Sequence, residues 1–317
     1  MRIVVLRCGG ADLTLSDLPG DTLLADAGRL GDAAVVERDV PVRPGRGDLA
    51  FLEDLAKVVL PVDDAPTPAD IGKQKKVDEL GAPEIAPQRP SERLRVVVAG
   101  PDASLAAVAT HLMRRNLLWV ELAHVPGGPT PATRNWGLGD GLTAVQAISR
   151  PVDPVPAIRD DTGAAIVGYA LFTGPDVTGP SSRGGLVGEV WAGEDPLFSG
   201  TAHGVQVRPT PDAPGLVAAE VPPPAEEPGG DGSGRAGGRG GRGLLGRLFG
   251  RGHDAPDPDE GLTDAAGNPR TMHGPMVARA VQIGGPGFRY VHDGIESKRP
   301  REKATIYRHL RDLQLVR

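Results

Sequence analysis

The chain has 317 residues, a net charge of −6, 39% apolar residues, 45 glycines and 32 prolines; glycine and proline together run at about twice their usual share, so a real core coexists with much loop or linker. The glycines have no three-residue period, which excludes collagen. No apolar run approaches the ~18–20 residues of a membrane span, and the acidic balance leaves no overall basic field for nucleic acid.

The opening residues, MRIVVLRCGGADL, lack the long apolar stretch and small-residue cleavage site of a signal peptide. Cys8 is the single cysteine, which excludes an internal disulfide framework and a thiolate zinc site. The compartment expected from this usage is the cytoplasm.

Ile3-Val4-Val5-Leu6, ended by Gly9-Gly10, reads as a buried strand. Residues 48–60 read as a helix, with Leu49, Leu52, Leu55 and Val59 near helical spacing and Pro61 as its stop. Residues 61–92 are proline-rich; a surface connection is expected there, with one short helix at 68–80 and a solvated charge run, Lys73-Gln74-Lys75-Lys76.

The clearest unit runs from 94 to 127. Leu94 to Ala99 is a strand, residues 100–104 a tight turn, Leu105 to Arg115 a helix with Leu105, Val108, Ala109, Leu112 and Met113 along one stripe, and Leu117 to Val125 a second strand. A strand–helix–strand unit of this kind implies a parallel sheet, and near-continuous apolar strands imply that both faces are covered.

From about residue 151 short β-like runs take over, at 155–158, 164–172, 186–191, 204–207 and 216–221. Asp160-Asp161-Thr162-Gly163 is a hairpin signal. Residues 222–270 are rich in Gly, Pro and Arg, a composition that cannot bury enough surface to order itself. Within them, Leu244 to Arg251 is both basic and apolar, so at most a peripheral membrane contact is expected. Residues 276–283, 288–292 and 303–310 read as closing strands, with Asp293-Gly294 as a turn. The expected architecture is α/β: a parallel-sheet domain over 1–150, then an antiparallel β-sandwich over 151–317 carrying a disordered insertion at about 222–270.

Three segments carry groups suited to chemistry. In the turn after the 94–99 strand, Gly100 permits close approach of a ligand, and Asp102 is placed to hold magnesium or take a hydroxyl proton. Ser104 can cap the helix or bond a phosphate oxygen, since a helix N-terminus after a strand suits an anion. The plain alternative is that Asp102 and Ser104 only cap a helix. In the loop after the 117–125 strand, Gly127 and Gly128 permit backbone approach, while Thr130, Thr133 and Arg134 suit phosphate oxygens; the alternative is a proline-stiffened turn. His292-Asp293-Gly294-Ile295-Glu296 offers two carboxylates, or simply a solvated β-turn. The histidines, among them His111, His203, His273, His292 and His309, have no metal-ligand spacing, so no zinc site is expected.

In this order the three segments resemble the diacylglycerol kinase catalytic-domain family, which includes sphingosine-kinase-like enzymes and is related in fold to NAD kinases. Val96-Val97-Val98-Ala99-Gly100-Pro101-Asp102-Ala103-Ser104-Leu105 is in step with the family's strand–GGDGT–helix. Pro126, Gly128, Arg134 and Gly137-Leu138 follow the outline of its P-x-G-T-G-N-D-x-A-R-x-L-G, and Asp293-Gly294-Ile295-Glu296 resembles its D-G-E turn with one residue inserted. The resemblance covers roughly 94–172 and 276–317.

It implies ATP phosphates on the 100–104 turn and the 126–130 loop, magnesium held by Asp102 and Asp293, a lipid hydroxyl entering from the β-sandwich side, and Asp102 and Glu296 as catalytic groups. This sequence departs from the pattern. Pro101 removes an N–H donor, Ala103 carries a Cβ where the family has glycine, the second motif's Asn-Asp pair has no counterpart, and Val5 to Gly10 is a loose substitute for the family's early Asn-Pro-Gly loop. Each lost transition-state donor costs ~10²–10³ in rate. Two readings stand: an ATP-dependent lipid kinase with degenerate phosphate motifs, or a non-catalytic relative that binds a nucleotide, a lipid or a protein. An RNA-binding role for the Gly/Arg segment is disfavoured, because the arginines lack interleaved aromatics.

Overall fold

The computed structural model describes residues 1–13, 34–62, 80–86, 90–175, 185–221 and 275–317. The expected helix at 68–80 (all but its last residue), the charge run at 73–76, His273 and the whole 222–270 segment lie outside them.

The first sheet is built from β1 (Arg2–Cys8), β2 (Ala34–Val40), β3 (Leu94–Ala99), β4 (Glu121–Val125) and β15 (Gln314–Leu315), in the order β15-β4-β3-β1-β2 with every pair parallel. β1 and β3 occupy its centre. Ile3 to Leu6 and Leu94 to Ala99 are all buried, as a sheet covered on both faces requires.

Helix α1 (Arg46–Val59) buries Leu49, Leu52, Ala56 and Val59, and the chain leaves it at Leu60-Pro61. Helix α2 (Asp102–Arg114) buries Leu105, Val108, Ala109, Leu112 and Met113. Two short helices follow, α3 (Pro131–Asn135) and α4 (Ala144–Ser149), each opened by a threonine N-cap, Thr130 and Thr143.

The boundaries differ from expectation at two points that matter for the site. Pro101 is the N-cap of α2, so Asp102 is already helical and the turn shrinks to Gly100-Pro101. Proline suits this because an N-terminal helix position needs no N–H donor. The second strand begins only at Glu121, because residues 117–120 form a turn.

The antiparallel half comprises β5 (Ile158–Asp160), β6 (Ala170–Thr173), β7 (Leu186–Ala192), β8 (Asp195–Ala202), β9 (Gly204–Pro209), β10 (Leu216–Val221), β11 (Met276–Ala278), β12 (Ala280–His292), β13 (Ile295–Glu296) and β14 (Arg301–Arg308). The long strand β12 serves two layers. Its first part pairs with β7 and its second with β6 and β13, while β14 pairs with it on both sides of a register shift between Gly284 and Phe288. A bulge bends a strand in this way. Phe172, Val190, Leu197, Val207, Phe288 and Ile306 fill the core of this half. The expected runs at 155–158 and 164–172 are strand only at 158–160 and 170–173, and β8 was not expected, because Ser199-Gly200-Thr201 breaks its apolar alternation. Residues 276–283 and 288–292 become parts of β11 and of the single bent β12.

The halves are stitched together at both ends of the second. Val152 and Val155 bridge to Val316 and Leu313, and β15 joins the first sheet beside β4. Among the described residues no helix is long and apolar enough to cross a membrane.

Candidate functional site

The strand order reverses between β1 and β3: the chain leaves β1 toward β2 on one side and returns to β3 on the other. In open α/β sheets, ligands bind outside the carboxyl ends of the strands at this point. Here those ends are Cys8 to Gly10 and Gly100.

The chain's own atoms fill that position. A Cβ on Gly100 would lie 2.9 Å from Cys8 Cβ and 3.0 Å from Ser104 Oγ, at a φ of 144°. Glycine is therefore required by packing, without any ligand. The Gly100 N–H donates to the Val125 carbonyl at 3.1 Å. Ser104 is fully buried and donates its hydroxyl to the Val42 carbonyl. The Val42 side chain lies over Gly9, whose missing Cβ would sit 2.2 Å from Val42 Cγ2. Cys8 is 2% exposed, and burial pushes its thiol up to about 11.

Asp102 points to the other side. It is 7% exposed, and its Oδ2 accepts from the Ala132 N–H at 2.9 Å, joining the first turn of α2 to the first turn of α3. Oδ1 is buried with no hydrogen-bond partner among the described residues; His124 Nδ1 stands 4.0 Å away. Burial raises the Asp102 carboxyl to about 6, the negative charge of Asp293 adds to this, and the Thr130 hydroxyl, the Ala132 N–H and Arg134 pull it down.

His124, on β4, is completely buried. Its Nε2 lies 2.9 Å from the Gly100 carbonyl, an acceptor only, which assigns the proton to Nε2 and leaves Nδ1 as a lone pair. Burial lowers its pKa to about 4. Sequence reasoning passed over His124 because it sits in an apolar strand with no spaced partner.

Asp293 and Gly294 form the two-residue loop between β12 and β13, both with positive φ (47° and 76°), as a type I′ hairpin demands. The Asp293 carboxylate accepts three backbone N–H groups: Gly168 at 2.7 Å and Tyr169 at 3.1 Å on Oδ1, and Val167 at 3.1 Å on Oδ2. Asn135 donates to the carbonyls of Val167 and Gly168 from the opposite side. Residues 167–169, the chain's path into the antiparallel half, are thus clasped from both halves.

The 126–134 loop divides. Thr130 and Thr133 cap α3 reciprocally. Gly127 and Gly128 face open space, and Arg134 is exposed. Glu296 lies on the exposed β12–β13 hairpin, ion-paired to Arg289 at 2.8 Å.

So the three expected segments do meet, Asp102 with Ala132 directly and Asp293 with Asp102 across Gly168, but as a packed polar junction. The donor set does not suit magnesium. Asp293 is encircled by N–H donors, and among the described residues no three His, Cys, Asp or Glu side chains gather as a metal site. Nor do residues 100–104 suit the triphosphate of ATP, with Pro101 lacking its N–H and Cys8 and Ser104 packed against Gly100. Among the described residues an open cleft of about 540 Å³ lies one to three turns along α2, between residues 44–46, α2 and the hairpin at His292 and Ile295.

No protein-family model and no curated protein matches the sequence. Among solved structures, a diacylglycerol kinase from Bacillus anthracis str. Sterne superposes over 99% of this chain and 96% of its own, with a TM-score of 0.50 and 12% identity. Two further structures from that strain give 0.51 over the same shares at the same identity. An NAD kinase from Archaeoglobus fulgidus, in complex with ATP, superposes over 100% of this chain and 94% of its own, with a TM-score of 0.46 and 10% identity. At such identities the likeness is one of fold.

Proposed function

From a chain whose fold is that of the diacylglycerol kinases, we propose a non-catalytic protein that binds a ligand at the seam between its two halves and transfers no phosphate. The observation that carries this reading is the close packing around Gly100 at the switch point. Cys8 and Ser104 pack against Gly100 at the carboxyl ends of β1 and β3, the Val42 carbonyl takes the Ser104 hydroxyl, and Asp102 accepts from the Ala132 N–H. Phosphoryl transfer depends almost wholly on positioning and on donors aimed at the transferring group. Pro101 and Ser104 withdraw two such donors, and Asp293 is engaged with backbone.

One observation favours the second reading, an ATP-dependent lipid kinase. A carboxyl raised to about 6 lies in the range of a general base at neutral pH. Asp102 would then take the proton of a lipid hydroxyl, with ATP reached through the open glycines of the 126–130 loop and Arg134. Incubation with γ-labelled ATP, magnesium and a panel of lipid alcohols separates the two. The non-catalytic reading expects no label in lipid above that seen with Asp102→Asn. Transfer that this substitution abolishes would establish the kinase instead.

A further inference from the structure

The cleft beside α2 is lined by none of the residues that the sequence assigned to phosphate, and its chemistry is its own. Arg46 opens α1; His111 and Arg114 come from α2 and Arg115 is its C-cap; His292 comes from the hairpin. Two acids adjoin it: Glu53, whose Oε1 is held by Arg115 at 2.9 Å and stands 3.6 Å from His111 Nε2, and Asp293, whose Oδ2 is 3.7 Å from His292 Nδ1. Burial holds the His111 imidazole below its ordinary pKa, and the charges of Arg115 and Arg46 add to this against that of Glu53. Three arginines thus line one cleft in a chain whose net charge is −6, with Glu53 on Arg115 and Asp293 beside His292 as the neighbouring carboxylates.

The floor between them is small and apolar, formed by Ala106, Ala107 and Ala164. Arg114 is held in place by its bonds to the carbonyls of Gly163 and Thr162, both at 3.1 Å, so the cation is pre-positioned rather than recruited. A volume of about 540 Å³ lies within the usual ~300–1,000 Å³ for small-molecule sites. The Gly163 and Thr162 carbonyls take the Nε and Nη2 of Arg114 and Glu53 takes the Nε of Arg115, leaving their other guanidinium N–H groups, with those of Arg46, to donate to phosphate oxygens.

Resting on the ligand-binding reading above, we propose that this cleft takes a small molecule bearing a phosphate ester or diphosphate. The guanidinium groups of Arg46, Arg114 and Arg115 hold the anion, and the organic part lies on the alanine floor.

Calorimetric titration of the full chain with inorganic pyrophosphate and with AMP, beside phosphatidic acid vesicles, tests this and separates a soluble phosphate from a lipid headgroup. Pyrophosphate and AMP should both bind. Arg46→Glu, an exposed substitution, should weaken both by about tenfold or more, the worth of one charge-assisted contact reversed. Ala107→Leu fills the floor and should weaken AMP by roughly tenfold while sparing pyrophosphate. The unliganded melting temperature of each variant shows that it is folded. No binding of either soluble probe at millimolar concentration, binding indifferent to Arg46→Glu, or binding of vesicles alone would each overturn the proposal. Label transfer from ATP to a lipid would end the non-catalytic reading without altering these titrations.

Discussion

Asp102 and Asp293, 191 positions apart in the sequence, meet across Gly168: a Cβ on that glycine would fall 2.8 Å from Asp102 Oδ2 and 3.0 Å from Asp293 Oδ1. The same atom would lie 3.0 Å from Pro131 Cβ. Gly168 is therefore the point on which α2, α3 and the β12–β13 hairpin close. Gly168→Ala forces one of three packed neighbours to move, and overpacking of this kind costs ~1–3 kcal/mol. Urea denaturation measures it; an unchanged midpoint would show that the junction is looser than these distances.

Asp293 has a separate structural duty. Asp293→Ala removes the acceptor for three backbone N–H groups and places alanine at a φ of 47°. Unsatisfied buried donors cost ~1–3 kcal/mol each, with the left-handed conformation adding ~1–2 kcal/mol. Asp293→Asn keeps an acceptor oxygen and tolerates the left-handed backbone, so it should unfold at a denaturant concentration between those of wild type and Asp293→Ala. Equal loss for both variants would mean that the charge, rather than the hydrogen bonds, is what matters.

The pH dependence of stability divides between Asp102 and His124, with opposite signs. The Asp102 carboxyl is raised from 3.8 to about 6 in the folded protein, so its contribution is full below about pH 4 and is lost as pH rises through 6. His124 is lowered from 6.5 to about 4, so its contribution is present above pH 6.5 and is lost as pH falls toward 4. Each shift spans about two units, on the order of 3 kcal/mol, and the two slopes nearly cancel in the wild type. Asp102→Asn should expose the histidine slope, losing stability relative to wild type on acidification from pH 6.5 to 4. His124→Gln should expose the aspartate slope and gain over the same range. Denaturant midpoints measured across that window decide it, and parallel profiles for all three proteins would refute it.

A fourth test concerns the sheet. Arg95 on β3 is 1% exposed, pairs with Glu121 on β4 at 2.7 Å, and donates to the carbonyls of Ala147 and Ile148 near the end of α4. Arg95→Ala leaves Glu121 with only the half-exposed Arg93 and strands two carbonyls, at ~3–5 kcal/mol for a broken buried pair. Arg95→Met, of similar length and apolar, should recover part of that loss. A cost below 1 kcal/mol for Arg95→Ala, read from thermal and chemical unfolding, would place water in that region.

The sequence by itself determined what depends on near neighbours. Ile3 to Leu6, Leu94 to Ala99 and the stripe Leu105-Val108-Ala109-Leu112 announced buried strands and an amphipathic helix, because burial follows the period of the backbone. Asp293-Gly294 announced a hairpin, because its φ angles belong to those residue types. The resemblance carried by Gly100, Asp102 and Gly128 pointed to the kinase fold that the solved structures share.

What a side chain faces was decided only by the tertiary structure. Ser104 meets Val42, Asp102 meets Ala132 and His124, and Asp293 meets residues 167–169, each partner lying between 22 and 126 positions away. Local patterning holds no record of such pairings. The same carboxylate reads alike in sequence whether it opens into a cleft or is closed by a distant N–H. Its environment, and with it its proton affinity and its chemistry, is set by which strands pack side by side.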